Sequence, residues 1–495
     1  MEGDRFRLSR RGFVAAAVVG GLGLVACGRP PSPPPPPSGV PATLADAIAA
    51  AEAARPHTGR TVTASLRPQP VTVDLGGPVV RTLAYGNTIP GPAIRANIGD
   101  ELAVTVTNGL DRPTSVHWHG IALRNDMDGA APATPNIESG REFTYRFSVP
   151  HSGTYWAHPH TGLDTDYGLY APVIVDDPSE PARYDAEWIV VLDDWTDGVG
   201  KSPQDIYTGL HHGMTGMGGM GGVGTSDLLG GDAGDGSYPY YLVNGRIPAA
   251  PTTFAAKPGQ RIRIRLINAA SDTAFRVALA GHTMTVTHTD GYPTVPKDVD
   301  ALLLGMSERY DVIVTAGEGL FPLVALAEGK NAVARALLST GAGDAPGPEF
   351  RPPELHRRVG TVDMFTSTPA AGLGITNADV NLSVDLTGGM MNYDWGIDGR
   401  AYPATQPLAI AEGQKATLTF TNRTMMWHPM HLHGHTFQML DASGGLGARK
   451  DSTIVLPMRS VTVALVADNP GMWMLHCHNS YHQEAGMMTS LDYTA

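Results

Sequence analysis

Three stretches of the chain repeat one pattern: GDELAVTVTN (99–108), GQRIRIRLIN (259–268) and GQKATLTFTN (413–422). Each opens on Gly and closes on Asn nine positions later. Between them apolar residues alternate: Leu102, Val104, Val106; then Ile262, Ile264, Leu266; then Ala416, Leu418, Phe420. Alternation with period two makes a half-buried strand. The copies start 160 and 154 residues apart, which suits one β-sandwich domain with its connections. The expectation is an all-β chain of three tandem sandwich domains, at 60–178, 182–342 and 358–495. Composition agrees. The 59 glycines and 40 prolines favour short strands and turns over long helices. A net charge of −13 speaks against a nucleic-acid partner.

The first residues read as an address. Arg10-Arg11 precede an apolar run that ends at Ala26. That run is too short to span a bilayer and reads as the core of a signal peptide. The paired arginines resemble a Tat export signal. LVAC (24–27) resembles a lipobox, which would make Cys27 the lipidated first residue after removal of 1–26. RPPSPPPPPSG follows, a semi-rigid polyproline spacer, so 27–59 is read as tether and N-terminal segment. The expected location is the cell envelope, on the extracytoplasmic or periplasmic face. Membrane contact would come only through the lipid anchor. With Cys27 in the signal, only Cys477 remains in the body and no disulfide framework is available.

Histidine carries the chemistry. Ten of the 18 histidines fall in four clusters: HWH (His117, His119), HPH (His158, His160), HPMHLH (His428, His431, His433) and HCHNSYH (His476, His478, His482). Two clusters lie in the first module and two in the third. His282 and His288 of the middle module are isolated and read as structural. His-x-His on a strand places both rings on one face, so facing pairs can present eight imidazoles to one cavity. A single zinc site needs three or four ligands, so this excess implies several metals. One thiolate, two histidines and a weak axial Met make the blue-copper electron-transfer set. His428, Cys477, His482 and Met487 supply one.

These four motifs in this order, H-x-H, H-x-H, H-x-x-H-x-H and H-C-H-x-x-x-H-x-x-x-x-M, resemble those of the multicopper oxidases. The resemblance covers about residues 60–495. With the export signal and lipobox, it looks most like the actinobacterial lipoprotein branch tied to copper resistance. It implies three cupredoxin-like Greek-key β-sandwich domains and four copper ions. By motif position, type 1 copper takes His428, Cys477, His482 and Met487. Type 2 takes His117 and His431. The two type 3 coppers take His119, His158, His478 and His160, His433, His476. The middle domain is expected to be a spacer.

The implied reaction couples four one-electron oxidations of substrate to reduction of dioxygen to two waters, with Cys477 linking type 1 copper to His476 and His478. Asp128 matches the family's acid for proton supply. Where many bacterial relatives carry Glu after the last type 1 histidine, this chain has Gln483, which cannot titrate, and Glu484 is the candidate to replace it. An axial Met implies a modest potential, hence easily oxidised substrates: Cu(I), Fe(II) or phenols. The run MTGMGGMGG in the insert 210–224 spaces Met214, Met217 and Met220 three apart. Such soft thioethers select Cu(I), and Met425 and Met426 precede His428. Cuprous-oxidase relatives place an Asp where this chain has Thr424. The leading reading is a monomeric copper oxidase with laccase or ferroxidase activity. The alternatives are a laccase acting mainly on phenols, or an electron-transfer or scaffold protein that binds copper. The full ligand set argues against both of the last two.

Overall fold

The computed structural model describes residues 42–180, 183–212, 224–441 and 444–494. The three decamers become the strands Glu101–Thr107, Arg261–Asn268 and Lys415–Asn422. Each has the same pair of neighbours. The first lies parallel to Thr61–Leu66 and antiparallel to Glu142–Ser148. The second lies parallel to Ala186–Trp195 and antiparallel to Arg309–Thr315. The third lies parallel to Val380–Thr387 and antiparallel to Ser460–Val466. Gly99, Gly259 and Gly413 sit at φ of 79°, 79° and 83°, a left-handed turn that disfavours a Cβ. The closing asparagines share one role too. Asn108 Nδ2 donates to the carbonyls of Arg112 and Ile137, Asn268 Nδ2 to Thr273 and Leu304, and Asn422 Nδ2 to Met426 and Val455. The side chain thereby ties a carbonyl of the loop that follows each strand to one from a segment distant in sequence.

A second sheet completes each sandwich. In the first module it runs Ile94–Asn97, Ala171–Asp176, Gly153–His158, His117–His119. In the third it runs Leu408–Ala411, Met488–Thr494, Met472–Cys477, His428–Leu432, Ser452–Val455. The middle module places Leu320–Ala327 and Phe275–Leu279 side by side in the corresponding positions. So the same strand pair recurs three times. It carries histidines in the outer modules and reads FRVAL against LFPLVALA in the middle one. The apolar core is continuous through all three modules.

One expectation needs correcting. The apolar residues of all three decamers are fully buried, as alternation requires. The middle strand, however, is buried on both faces, with Arg263 and Arg265 only 3% and 1% exposed. Both arginines pair with Asp311, at 2.6 Å and 3.1 Å, and Arg265 Nη1 also donates to Thr154 of the first module. The polar face of this strand is a module interface rather than a solvent face. Removing one partner from such a buried pair costs about 3–5 kcal/mol, because the other charge is left uncompensated.

Candidate metal centres

The histidine strands meet in register. His117 lies opposite His158 across one pair, and His431 opposite His476 across the other, with Met430 opposite Cys477. His478 and His482 follow on the turn and one-turn helix Ser480–Ala485. Asn479 caps that helix by accepting from the N–H groups of Tyr481 and His482. Among the described residues five groups of donor atoms result, each within 4.8 Å: His117, His119, His431; His119, His158, His478; His160, His433, His476; His428, Cys477, His482; and His117, Asp128, His433, in which the carboxylate joins two of the histidines. All are buried except His160, which is half-buried.

Hydrogen bonds fix which nitrogen faces inward. His433 Nδ1 lies 2.9 Å from Asp128 Oδ2, and His476 Nδ1 lies 2.9 Å from the Cys477 carbonyl. Those oxygens only accept, so both Nδ1 atoms carry the proton and both Nε2 atoms carry a lone pair. Yet these two Nε2 atoms are 3.0 Å apart, and His160 Nε2 is 3.3 Å from that of His476. Facing lone pairs at that distance repel unless a cation lies among them. His117, His158 and His431 likewise give Nδ1–H to the carbonyls of Asp128, Pro159 and Asp451 at 3.0, 2.9 and 2.8 Å. Their Nε2 atoms have no partner among the described residues. His119 is reversed: Nε2 meets Asp451 Oδ1 at 3.1 Å and Nδ1 is the unpartnered atom. Neither nitrogen of His478 has a hydrogen-bond partner among the described residues. Buried polar atoms left this way are rare, and here they converge.

The sulfur group follows the same logic with the other nitrogen. Cys477 Sγ is 3.7 Å from His428 Nδ1 and 3.6 Å from His482 Nδ1. Outward, His428 Nε2 donates to Thr424 Oγ1 at 2.8 Å and His482 Nε2 lies 3.2 Å from Asp235 Oδ2. Met487 is fully buried and its carbonyl accepts the Cys477 N–H at 3.0 Å, which holds its backbone against that of Cys477. A thiolate with imidazoles suits copper, and the soft donor set discriminates against hard cations.

Without metal, burial pushes the imidazoles of His119, His158, His160, His428, His431, His433, His476 and His478 below their ordinary pKa, and neighbouring imidazoles add to this in every one. His482 moves the other way: burial opposes protonation, but Asp235 and Cys477 raise it to about 10. A depressed folded-state pKa means the unfolded chain protonates first as pH falls below about 6.5, so the fold loses stability there. His482 opposes this as a single group against eight. We therefore expect the melting temperature of metal-free protein to drop between pH 7.5 and 5.5. A constant value would contradict the burial of neutral imidazoles.

The remaining sequence candidates divide. Asp128 is fully buried, bonded to His433 and 3.2 Å from His117 Nδ1. Glu484 is exposed and makes no hydrogen bond or ion pair among the described residues. Partial burial of its carboxyl, and then the charge of Asp164, push its pKa up. Met425 is exposed and Met426 buried. Met214, Met217, Met220 and Cys27 lie outside the described residues. Sequence reasoning missed Asp235 and Asp451. Nothing local marks either as a partner of histidines 247 and 332 positions away. The expectation that the middle domain is only a spacer is too narrow, since Asp235 belongs to it.

Three multicopper oxidase family models match, at residues 69–180, 186–342 and 376–495. Multicopper oxidase MmcO of Mycobacterium tuberculosis (strain ATCC 25618 / H37Rv) is 64% identical over 99% of this chain and 97% of that protein. The chain belongs to the multicopper oxidases. Copper resistance protein A of Pseudomonas syringae pv. tomato is 28% identical to this oxidase, over 97% of this chain and 98% of its own. The crystal structure of a laccase from Botrytis aclada superposes with a TM-score of 0.73 at 25% identity, covering 89% of each chain. This multicopper oxidase is thus an oxidoreductase with copper as its cofactor, built on cupredoxin-like sandwiches. The inward-facing, unpartnered nitrogens are the local signature of that cofactor.

Proposed function

We propose that this oxidase holds four coppers and oxidises Cu(I) at the cell surface in copper resistance, with Fe(II) and phenols as further substrates. The observation that carries the reading is the convergence of buried, proton-free imidazole nitrogens in three groups, with a fourth group around Cys477 Sγ. His428, Cys477, His482 and Met487 would hold type 1 copper, and His117 and His431 type 2. His119, His158, His478 and His160, His433, His476 would hold the type 3 pair. Copper, when bound, supplies one-electron redox chemistry and a site for dioxygen.

The chain supplies the rest. Cys477 sits between His476 and His478, so its backbone is a short covalent route from the sulfur site to two histidine groups. Reducing dioxygen to two waters takes four electrons and four protons. Asp128 Oδ1 is buried 3.2 Å from His117 Nδ1 and makes no hydrogen bond among the described residues, so a carboxyl there can hold a proton for oxygen being reduced. Thr424, which replaces an acid found in cuprous-oxidase relatives, orients His428 instead. The middle module supplies the negative charge: Asp235 meets His482, and Asp232 lies close to both. Three of the six exposed large apolar residues among the described residues are methionines, Met391, Met425 and Met458, and the Met458 N–H donates to the Thr424 carbonyl. The helix Pro203–His211, whose last two residues open the insert 210–224, ends with His211 5.3 Å from the ring of Tyr393. Tyr393 in turn donates to Asp235 at 2.6 Å. This neighbourhood of soft donors and carboxylates supports a cation substrate.

Copper-resistance names among the relatives support the same role. Tat export and a lipid on Cys27 rest on sequence alone. No helix among the described residues is long and apolar enough to cross a membrane. The discriminating experiment compares rates for Cu(I), Fe(II) and a phenol, with Met214, Met217 and Met220 intact or changed together to Ser. We expect the Cu(I) rate to fall most. Equal losses on all three substrates would refute a dedicated Cu(I) entry site and favour the laccase reading.

A further inference from the structure

Arg309 belongs to the middle module, yet it is fully buried against both histidine-bearing modules. Its five N–H donors are all used. Nε donates to the Thr154 carbonyl at 3.1 Å, on the strand Gly153–His158 that delivers His158. Nη1 donates to the Ser307 carbonyl at 3.2 Å and to Asp451 Oδ1 at 2.7 Å. Nη2 donates to the Asp290 carbonyl at 3.2 Å and to Asp451 Oδ2 at 2.5 Å. The last pair is a two-pronged grip on one carboxylate, a geometry that only guanidinium provides.

Asp451 holds two histidines. Its Oδ1 takes the Nε2–H of His119 at 3.1 Å, and its carbonyl takes the Nδ1–H of His431 at 2.8 Å. These rings stack with centroids 3.7 Å apart. The glycine of the HWHG motif makes room for the guanidinium. Gly120 lies at φ 85°, and a Cβ there would meet Arg309 Nη2 at 2.2 Å and Asp451 Oδ2 at 2.7 Å. The middle module therefore reaches the first histidine pair through a gap that only glycine leaves open.

We propose that Arg309 is a positioning residue for the histidine cluster. Through Asp451 it keeps His119 protonated on Nε2 with Nδ1 facing inward, and it fixes the place of His431. The middle module thus sets the geometry of ligands it does not contribute. This rests on the reading of those histidines as copper ligands, which the parent protein tests by itself through its copper content and spectra.

The experiment uses copper-loaded Arg309→Lys, which keeps the charge but loses the fork. Its control is Arg276→Lys in the same module, where Arg276 grips Glu328 at 2.5 Å and hydrogen-bonds no histidine among the described residues. For Arg309→Lys we expect the blue thiolate absorption to persist. The type 2 paramagnetic signal and type 3 absorption should shift or vanish, and turnover should fall about 10–100-fold, as for other outer-shell partners of metal ligands. Arg276→Lys should lower the melting temperature and leave every copper signal in place. Identical spectra and turnover in the two variants would overturn the proposal. If Arg309→Lys does not fold, Asp451→Asn is read the same way: an unaltered cluster spectrum there overturns it, and selective loss of type 2 and type 3 signals supports it. A parent protein without those signals would instead sink the copper reading itself.

Discussion

Cys477→Ser should abolish both the blue colour and oxidase turnover while leaving the histidine cluster loaded. The variant nearly keeps the size of the side chain and removes the sulfur that lies 3.7 Å from His428 Nδ1 and 3.6 Å from His482 Nδ1. A serine hydroxyl is a hard, protonated oxygen at neutral pH and does not replace a soft thiolate. The covalent route from the sulfur site to His476 and His478 is broken at its first atom. Absorption, copper content and dioxygen consumption of parent and variant check this together. Full turnover in Cys477→Ser would refute the route.

The second large effect is expected at Asp128. Its Oδ2 accepts the Nδ1–H of His433 at 2.9 Å, and its carbonyl accepts that of His117 at 3.0 Å. Asp128→Asn keeps the shape and removes the charge. The amide can then present NH2 to His433, which favours the wrong tautomer and points a proton at the metal. Outer-shell losses of this kind cost about 10–100-fold in metal affinity or activity. We expect turnover to fall by that factor with the blue absorption unchanged, because the Cys477 group does not touch Asp128. Loss of colour in step with turnover would mean that Asp128 supports the fold rather than the cluster.

Much of the strand pattern and of the histidine clustering is legible in the sequence. Decamers with matched Gly and Asn ends and alternating apolar residues foretold three strands, because period-two burial is a local rule, whereas the pair of neighbours they share shows only in the fold. The His-x-His spacing foretold rings on one face of a strand, which holds for His117 and His119, while His160, His433 and His478 lie just past the ends of their strands. Partners far apart in sequence were not legible. Asp235 in GDAGDGS, Asp451 in RKDST and Arg309 in ERYDV carry no local sign of their histidines or carboxylates. Their contacts exist only because three sandwiches pack together. For the same reason the middle decamer, read as half-buried, is buried on both faces. Thr424, read as a lost acid, is instead a hydrogen-bond partner of His428, which depends on a rotamer rather than on the residue type.

The account stands or falls on what the donor groups hold. The decisive measurement is copper content per chain together with the paramagnetic spectrum of the purified, fully loaded protein. The prediction is four coppers per chain: one with a blue thiolate signature, one with an ordinary type 2 signal and two that are silent as a coupled pair. A single blue copper, with His117, His119, His158, His160, His431, His433, His476 and His478 left metal-free under copper excess, would contradict it.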